Sequence, residues 1–134
     1  MKRAILAAML LGATSATWAA GWYLVVPPRS DYDERAPFLG AYRILADRPL
    51  SEWQLSGIFD SVFNCDARRG KLALAEHKLY YEGFGEYQKA QRERSAPELL
   101  RYERFVSETH HANYSAYSTS RCVPTDDPKL KLMP

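Results

Sequence analysis

The residues best suited to chemistry in this chain are its histidines and one nearby glutamate. Glu108 is followed closely by His110 and His111, whereas His77 stands apart. Imidazole and carboxylate groups bind zinc and copper, so Glu108, His110 and His111 are the candidate set for a metal or a small ligand. Adjacent side chains on a helix point about 100° apart, so the two histidines do not easily share one ion. We predict that they are polar residues near a helix C-terminus and that the chain has no metal site.

A second acidic motif lies near the end of the chain. Asp126 and Asp127 supply oxygen atoms of the kind that calcium prefers, but a calcium loop needs several spaced ligands and usually a glycine. Here the pair is followed at once by Pro128, and this arrangement favours a turn.

Motifs for covalent catalysis are missing from the sequence. It contains no Gly-x-Ser-x-Gly and no glycine-rich phosphate loop. A catalytic triad can be assembled from distant residues, so spacing alone does not exclude one. We predict that the protein is not an enzyme and that it has no catalytic residues and no cofactor.

Charged and aromatic side chains could instead form a binding surface. The basic residues are interleaved with glutamates at helical spacing, which is typical of a solvated face, with a patch for an anionic envelope polymer as the alternative. Tyrosines could line a binding surface or the edge of the core. The basic residues are Arg68, Arg69, Lys71, Arg92, Arg94, Arg101 and Arg104, and the clustered tyrosines are Tyr80, Tyr81, Tyr87, Tyr102, Tyr114 and Tyr117.

The N-terminal segment has the pattern of a secretory signal peptide. Lys2 and Arg3 precede an apolar run of residues 4–13, and small residues end at Ala19, so we predict a signal peptide over residues 1–19. An uncleaved membrane anchor is the alternative, because no charge occurs between Arg3 and Arg29. Both readings place the rest of the chain outside the cytoplasm, in the periplasm or secreted. Without Lys2 and Arg3 the 18 basic and 16 acidic residues become 16 and 16, so no general attraction to nucleic acid is expected.

The two cysteines, Cys65 and Cys122, both lie in the exported part. In an oxidising compartment an isolated pair most simply forms a disulfide. A redox or metal-binding pair is the alternative, but the sequence has no Cys-x-x-Cys.

The segments that must position these residues alternate between strand and helix patterns. Aromatic and branched residues over 21–26 and 53–59 predict two strands, and a short third strand is predicted at 121–123. Prolines, glycines and polar residues over 29–50 predict a long loop between the first two strands. Apolar periodicity predicts a helix over 61–82 that begins at a cap formed by Asp60 and Ser61.

A second helix is predicted to begin near Ser95, which could cap it together with Glu98, and to end near residue 112. Gly83 and Gly85 predict the end of the preceding helix. We therefore predict an α+β fold with a small antiparallel or mixed sheet of about three strands, two helices and one disulfide. One exported domain covers residues 20–128, and residues 129–134 form a flexible tail.

Four sequence motifs together resemble a group of short exported bacterial proteins of uncharacterised function. The resemblance covers both ends of the exported chain but not its middle, and it implies export and a Cys65–Cys122 disulfide without implying an activity. The motifs are Trp22-Tyr23-Leu24-Val25-Val26-Pro27-Pro28, Pro49-Leu50-Ser51-Glu52-Trp53, Phe59-Asp60-Ser61 with Cys65, and Arg121-Cys122-Val123-Pro124-Thr125-Asp126-Asp127-Pro128.

These features predict a small, non-catalytic protein of the bacterial envelope that acts through contacts with a protein or a polymer. A periplasmic protein that binds a metal or small ligand through Glu108, His110 and His111 is the alternative. Membrane attachment is expected only if the N-terminal segment stays uncleaved.

Overall fold

The computed structural model describes residues 21–130, and the predicted signal peptide lies outside them. It contains a small three-stranded sheet and two long helices, as the predicted α+β fold requires. In chain order the elements are β1 (Trp22–Val26), β2 (Gln54–Phe59), α1 (Val62–Arg92), α2 (Pro97–Thr119) and β3 (Arg121–Pro124), with 3₁₀ turns at Leu50–Glu52 and Pro128–Leu130. Within this range no helix is both long and apolar enough to cross a membrane.

The first strand lies at the centre of an antiparallel sheet with the order β2-β1-β3. Leu24 of β1 pairs with Gly57 of β2 on one side and with Cys122 of β3 on the other. The next pair joins Val25 to Leu55, so Ser56 is the extra residue of a bulge in β2. The bulge lies beside Gly57.

Each face of the sheet is covered by a different part of the chain. On one face Val25 and Val123 form a small core with Trp53 and Leu130. On the other face the Cys65–Cys122 disulfide, confirmed by the structure, ties β3 to the first turn of α1, where Cys65 is fully buried. The sheet is thus joined covalently to the helices and packed non-covalently against the C-terminal turn.

Helix α1 begins where the sequence predicted but ends ten residues later. The Ser61 side chain caps it by accepting a hydrogen bond of 3.1 Å from the Asn64 N–H. The predicted end at Gly83–Gly85 is wrong, because α1 continues to Arg92. Gly83 is buried against α2, and a Cβ atom there would lie 3.5 Å from the Ser107 Cα. The glycine therefore permits close packing of the two helices instead of ending the first.

Helix α2 differs from its prediction at both ends. It begins after Ala96 with Pro97 in its first turn, and no side chain caps it, so the capping box predicted at Ser95 and Glu98 is absent. The helix predicted to end near residue 112 continues to Thr119, because Ala112 and Ala116 extend its buried face. Alanine contributes little to a hydrophobic periodicity, so the apolar pattern in the sequence ends before the helix does.

The C-terminal turn is packed further than expected. Leu130, which was assigned to a flexible tail starting at residue 129, is 8% exposed and belongs to the core with Val25, Trp53 and Val123. The ordered domain therefore reaches at least residue 130, and residues 131–134 lie outside the described part.

Candidate functional site

The segment over residues 27–49, which we call the belt, lies against the two helices. Its two ends pair with each other, since the Ser30 N–H donates to the Arg43 carbonyl at 2.9 Å and the Leu45 N–H to the Pro28 carbonyl at 2.8 Å. Arg29 also extends to α2, where it donates to the Asn113 side chain at 2.6 Å. The predicted long loop is therefore an ordered loop closed at its base.

Aromatic contacts fix the belt to both helices. Phe38 stacks on Phe84 and Tyr87 of α1, with ring centroids 5.5 and 5.2 Å apart. Tyr32 meets Phe105 of α2 edge-to-face at 5.1 Å. Such aromatic pairs add roughly 0.5–1.5 kcal/mol each beyond the burial of their area.

Glu108 is the one acidic side chain buried among residues 21–130, at 2% exposed. Its Oε1 accepts a hydrogen bond of 2.6 Å from the Leu39 N–H. Leu39 has a φ of 67°, a left-handed conformation that costs free energy in a residue other than glycine. The buried carboxylate thus holds the belt in a backbone conformation that it would not adopt readily by itself.

Arg104 completes this contact between the belt and α2. Its Nε donates to the Glu108 Oε2 at 3.1 Å, one helical turn away. Its two remaining nitrogens donate to the belt carbonyls of Glu34, at 3.0 Å, and of Ala36. One guanidinium group therefore neutralises the buried carboxylate and satisfies two loop carbonyls.

Tyr32 lies beside the same carboxylate. Burial raises the pKa of the Tyr32 phenol to about 12, and the nearby charge of Glu108 acts in the same direction. In a titration followed by absorbance near 295 nm, we expect Tyr32 to be the last tyrosine to ionise, with a midpoint near pH 12. Since its pKa in the folded state exceeds the ordinary tyrosine value of about 10, the associated stability is complete below about pH 10 and is lost as the pH rises through about 12.

Tyr32→Phe should remove this last step and flatten the loss of stability over that interval. Tyr80→Phe is the matched control, because burial also raises the pKa of Tyr80, but that residue lies on α1 away from Glu108. A late step that persists in Tyr32→Phe would contradict the assignment.

An open cleft of about 490 Å³ lies between the belt and the exposed side of α2. We call it the arginine cleft, because guanidinium groups and aromatic rings predominate in its wall. Within residues 21–130, Arg35 forms no salt bridge, and Arg101 has only a solvent-exposed contact of 3.9 Å with Glu98. The lining residues are Tyr32, Glu34, Arg35, Arg101, Tyr102, Arg104 and Phe105.

This composition can hold an anionic group next to a flat apolar one. Arg35 and Arg101 offer planar forks of donors that match a carboxylate or phosphate. The rings of Tyr102 and Phe105 offer apolar surface, and the Glu34 carboxylate can accept hydrogen bonds from hydroxyl or amino groups. The groups in its wall are therefore suited to binding such a ligand.

The structure gives different partners to the three residues of the candidate metal set. Glu108 is occupied by Leu39 and Arg104, whereas His110 Nδ1 lies 2.7 Å from Glu76 of α1. His111 lies against the Tyr80 ring at 5.1 Å, and burial lowers its pKa. No group of three or more potential metal ligands is found in the described range.

The second acidic motif takes part in a turn. The side chain of Asp127 accepts a hydrogen bond of 2.9 Å from the Lys129 N–H. Its backbone N–H donates to the Pro124 carbonyl at 3.0 Å. This pattern agrees with the turn expected before Pro128.

The basic and tyrosine residues divide between structural and exposed roles. Of the basic set, Arg104 is engaged with Glu108 and Arg69 with the Ser120 carbonyl, whereas Arg101 lines the cleft. Tyr80 and Tyr87 pack against other rings, and Tyr102 lines the cleft.

Arg35 and Tyr32 could not be identified from the sequence, because both lie in the loop and a loop has no periodicity from which the position of a side chain can be inferred. The i,i+4 spacing of Arg104 and Glu108 was visible, but it resembled an ordinary surface pair.

Comparison with protein-family models, curated protein sequences and solved structures finds no match to this chain. The resemblance to short exported bacterial proteins therefore stays a prediction, and functional inference depends on the geometry of the site.

Proposed function

We propose that the protein is a small, exported, non-catalytic component of the bacterial envelope that binds an anionic polymer in the arginine cleft. The observation that carries the proposal is the pairing of two guanidinium groups, Arg35 and Arg101, with the aromatic rings of Tyr102 and Phe105 in one cleft. The signal-peptide pattern at residues 1–19 and the disulfide support a location in the periplasm or outside the cell.

A polymer of acidic sugars fits this chemistry. Its carboxylates or phosphates match the arginines, and its hydroxyl groups match Glu34. The apolar face of a sugar ring can lie on an aromatic ring. The cleft is open to solvent, so an internal segment of a polymer chain can enter it.

The test measures binding of the purified protein to polygalacturonate by calorimetry, with neutral dextran as the control polymer. Arg35→Gln and Arg101→Gln should each weaken binding about tenfold, because each removes one charge-assisted contact worth about 1.4 kcal/mol. Arg43→Gln removes the same charge from the belt outside the cleft, so its binding should stay within about twofold of the unaltered protein. Binding should also weaken as salt is added.

Equal losses in all three variants would show a non-specific charge effect and contradict the cleft as the site. No binding of polygalacturonate at low salt would contradict the proposed class of polymer.

A further inference from the structure

The solvent-facing side of α1 carries large apolar side chains, although the exposed side of a long helix is usually polar or charged. Phe63, Leu74 and Tyr81 are 77%, 70% and 61% exposed. At 100° per residue they lie within about 20° of one another around the helix, directly opposite the buried line through Cys65, Gly83 and Ala90. We call this the outer stripe of α1. Single exposed apolar residues are common, but three aligned on one helix indicate a contact surface.

Two glycines lie on the same stripe without any role inside the described chain. A Cβ atom at Gly70 or at Gly85 would meet nothing within 4 Å. An exposed helix-interior glycine costs roughly 0.5–1 kcal/mol relative to alanine, and neither glycine ends the helix. Gly83, by contrast, is explained by its contact with Ser107. Glycine at positions 70 and 85 would be explained if another backbone packed closely against them, as α2 packs against Gly83.

The order of residues along the stripe is self-complementary. When a second α1 is laid antiparallel with the two-fold axis between His77 and Lys78, Leu74 meets Tyr81 of the second copy and Gly70 meets Gly85. The ends match as well, since Phe63 then faces Arg92, an arrangement that suits a cation–π contact. Each pair of positions occurs twice, as a two-fold interface requires.

The charges beside the stripe follow the same symmetry. Lys71, on the flank of the stripe, then faces Glu82 of the second copy. Among residues 21–130 neither of these two side chains forms a salt bridge, and both are exposed. A shallow, mostly apolar depression of about 470 Å³ beside Leu74 is open to receive the ring of Tyr81.

We propose that the outer stripe of α1 binds a second copy of this chain, forming an antiparallel α1–α1 homodimer about a two-fold axis between His77 and Lys78. The apolar residues form the seam, the glycines allow the helices to approach closely, and Lys71 and Glu82 fix the antiparallel register. The arginine cleft includes no residue of α1, so each copy can present its own cleft to a polymer.

Sedimentation velocity of the purified, disulfide-bonded protein over a range of concentrations tests the dimer. Leu74→Asp should raise the dissociation constant at least about tenfold, because it places a charge in the seam. Leu99→Asp is the matched control, since Leu99 is an exposed leucine of α2 outside the stripe. A chain that stays monomeric at all concentrations, or equal effects of the two variants, would overturn the proposal.

Charge exchange tests the register. Lys71→Glu alone should weaken the dimer about tenfold, because it sets like charges opposite each other twice. The combination of Lys71→Glu with Glu82→Lys should restore the affinity. If the combination is no better than Lys71→Glu alone, the antiparallel register is wrong.

Cross-linking locates the axis. Lys78→Cys should be linked to its symmetry mate by a short bis-maleimide, and this change also removes the one pair of like charges at the axis. Lys89→Cys is the control, because the two copies of residue 89 would lie about 35 Å apart along the helices. A dimer that is linked through residue 89, or not through residue 78, would overturn the proposed axis.

Discussion

Replacement of Glu108 by alanine is expected to lower the free energy of unfolding by about 3 kcal/mol. The substitution removes the buried partner of the Arg104 guanidinium and the acceptor of the Leu39 N–H. Breaking a buried ion pair from one side typically costs about 3–5 kcal/mol, and a buried N–H without a partner costs about 1–3 kcal/mol. The lower end applies, because Arg104 is partly exposed and keeps its bonds to two belt carbonyls.

Urea denaturation of the two proteins measures this effect. Glu98→Ala is the matched control, since Glu98 is an exposed glutamate of the same helix in a weak contact with Arg101, and it should change stability by less than about 1 kcal/mol. Glu108→Gln should cost less than Glu108→Ala, since the amide oxygen can still accept from Leu39. A loss below about 1 kcal/mol in Glu108→Ala would show that the carboxylate does not hold the belt.

Loss of the belt contact should also be visible by limited proteolysis. Trypsin can cleave after three arginines of the belt once the belt detaches, whereas the Arg48–Pro49 bond resists trypsin. In Glu108→Ala we expect faster cleavage at these sites than in the unaltered protein, because Leu39 loses the bond that supports its left-handed conformation. The sites follow Arg29, Arg35 and Arg43.

The parts of the fold that the sequence predicted well are those set by local chemistry. The strand of Trp22–Val26 is ended by two prolines, and the Ser61 cap starts α1, so short-range rules locate both. The ends of both helices were set instead by contacts between them. Gly83 looked like a helix end, but its role depends on Ser107, 24 positions away in the chain.

The candidate site was harder to predict, because long-range contacts alone create it. The sequence offers Glu108 only as a candidate metal ligand beside His110 and His111, whereas its hydrogen-bond partners are Leu39 and Arg104. The carboxylate's burial depends on the path of the belt, and a loop has no periodicity from which that path could be inferred. The sequence therefore identified Glu108 as a residue of interest, but it did not predict that Glu108 holds the belt.

Loss of the Cys65–Cys122 disulfide is expected to cost about 4 kcal/mol of unfolding free energy. The bond closes a loop with a sequence separation of 57 residues, and the loop-entropy model assigns about 4 kcal/mol to a closure of this length. The bond also joins β3 to α1. Without it, the sheet and the helices can move apart as the chain unfolds. A domain of this size has a total stability of about 5–15 kcal/mol, so the loss would leave many such proteins marginal.

The double variant Cys65→Ala with Cys122→Ala, compared in urea with the unaltered protein before and after reduction, tests this expectation. The variant and the reduced protein should agree within about 1 kcal/mol, because both lack the same constraint. A loss below about 1 kcal/mol would contradict the structural role of the bond. A stability that depends on this disulfide also favours export, since a reducing cytoplasm would remove it. For protein isolated from outside the cytoplasm, the intact mass should correspond to a chain without residues 1–19. Reduction should raise that mass by two hydrogen atoms.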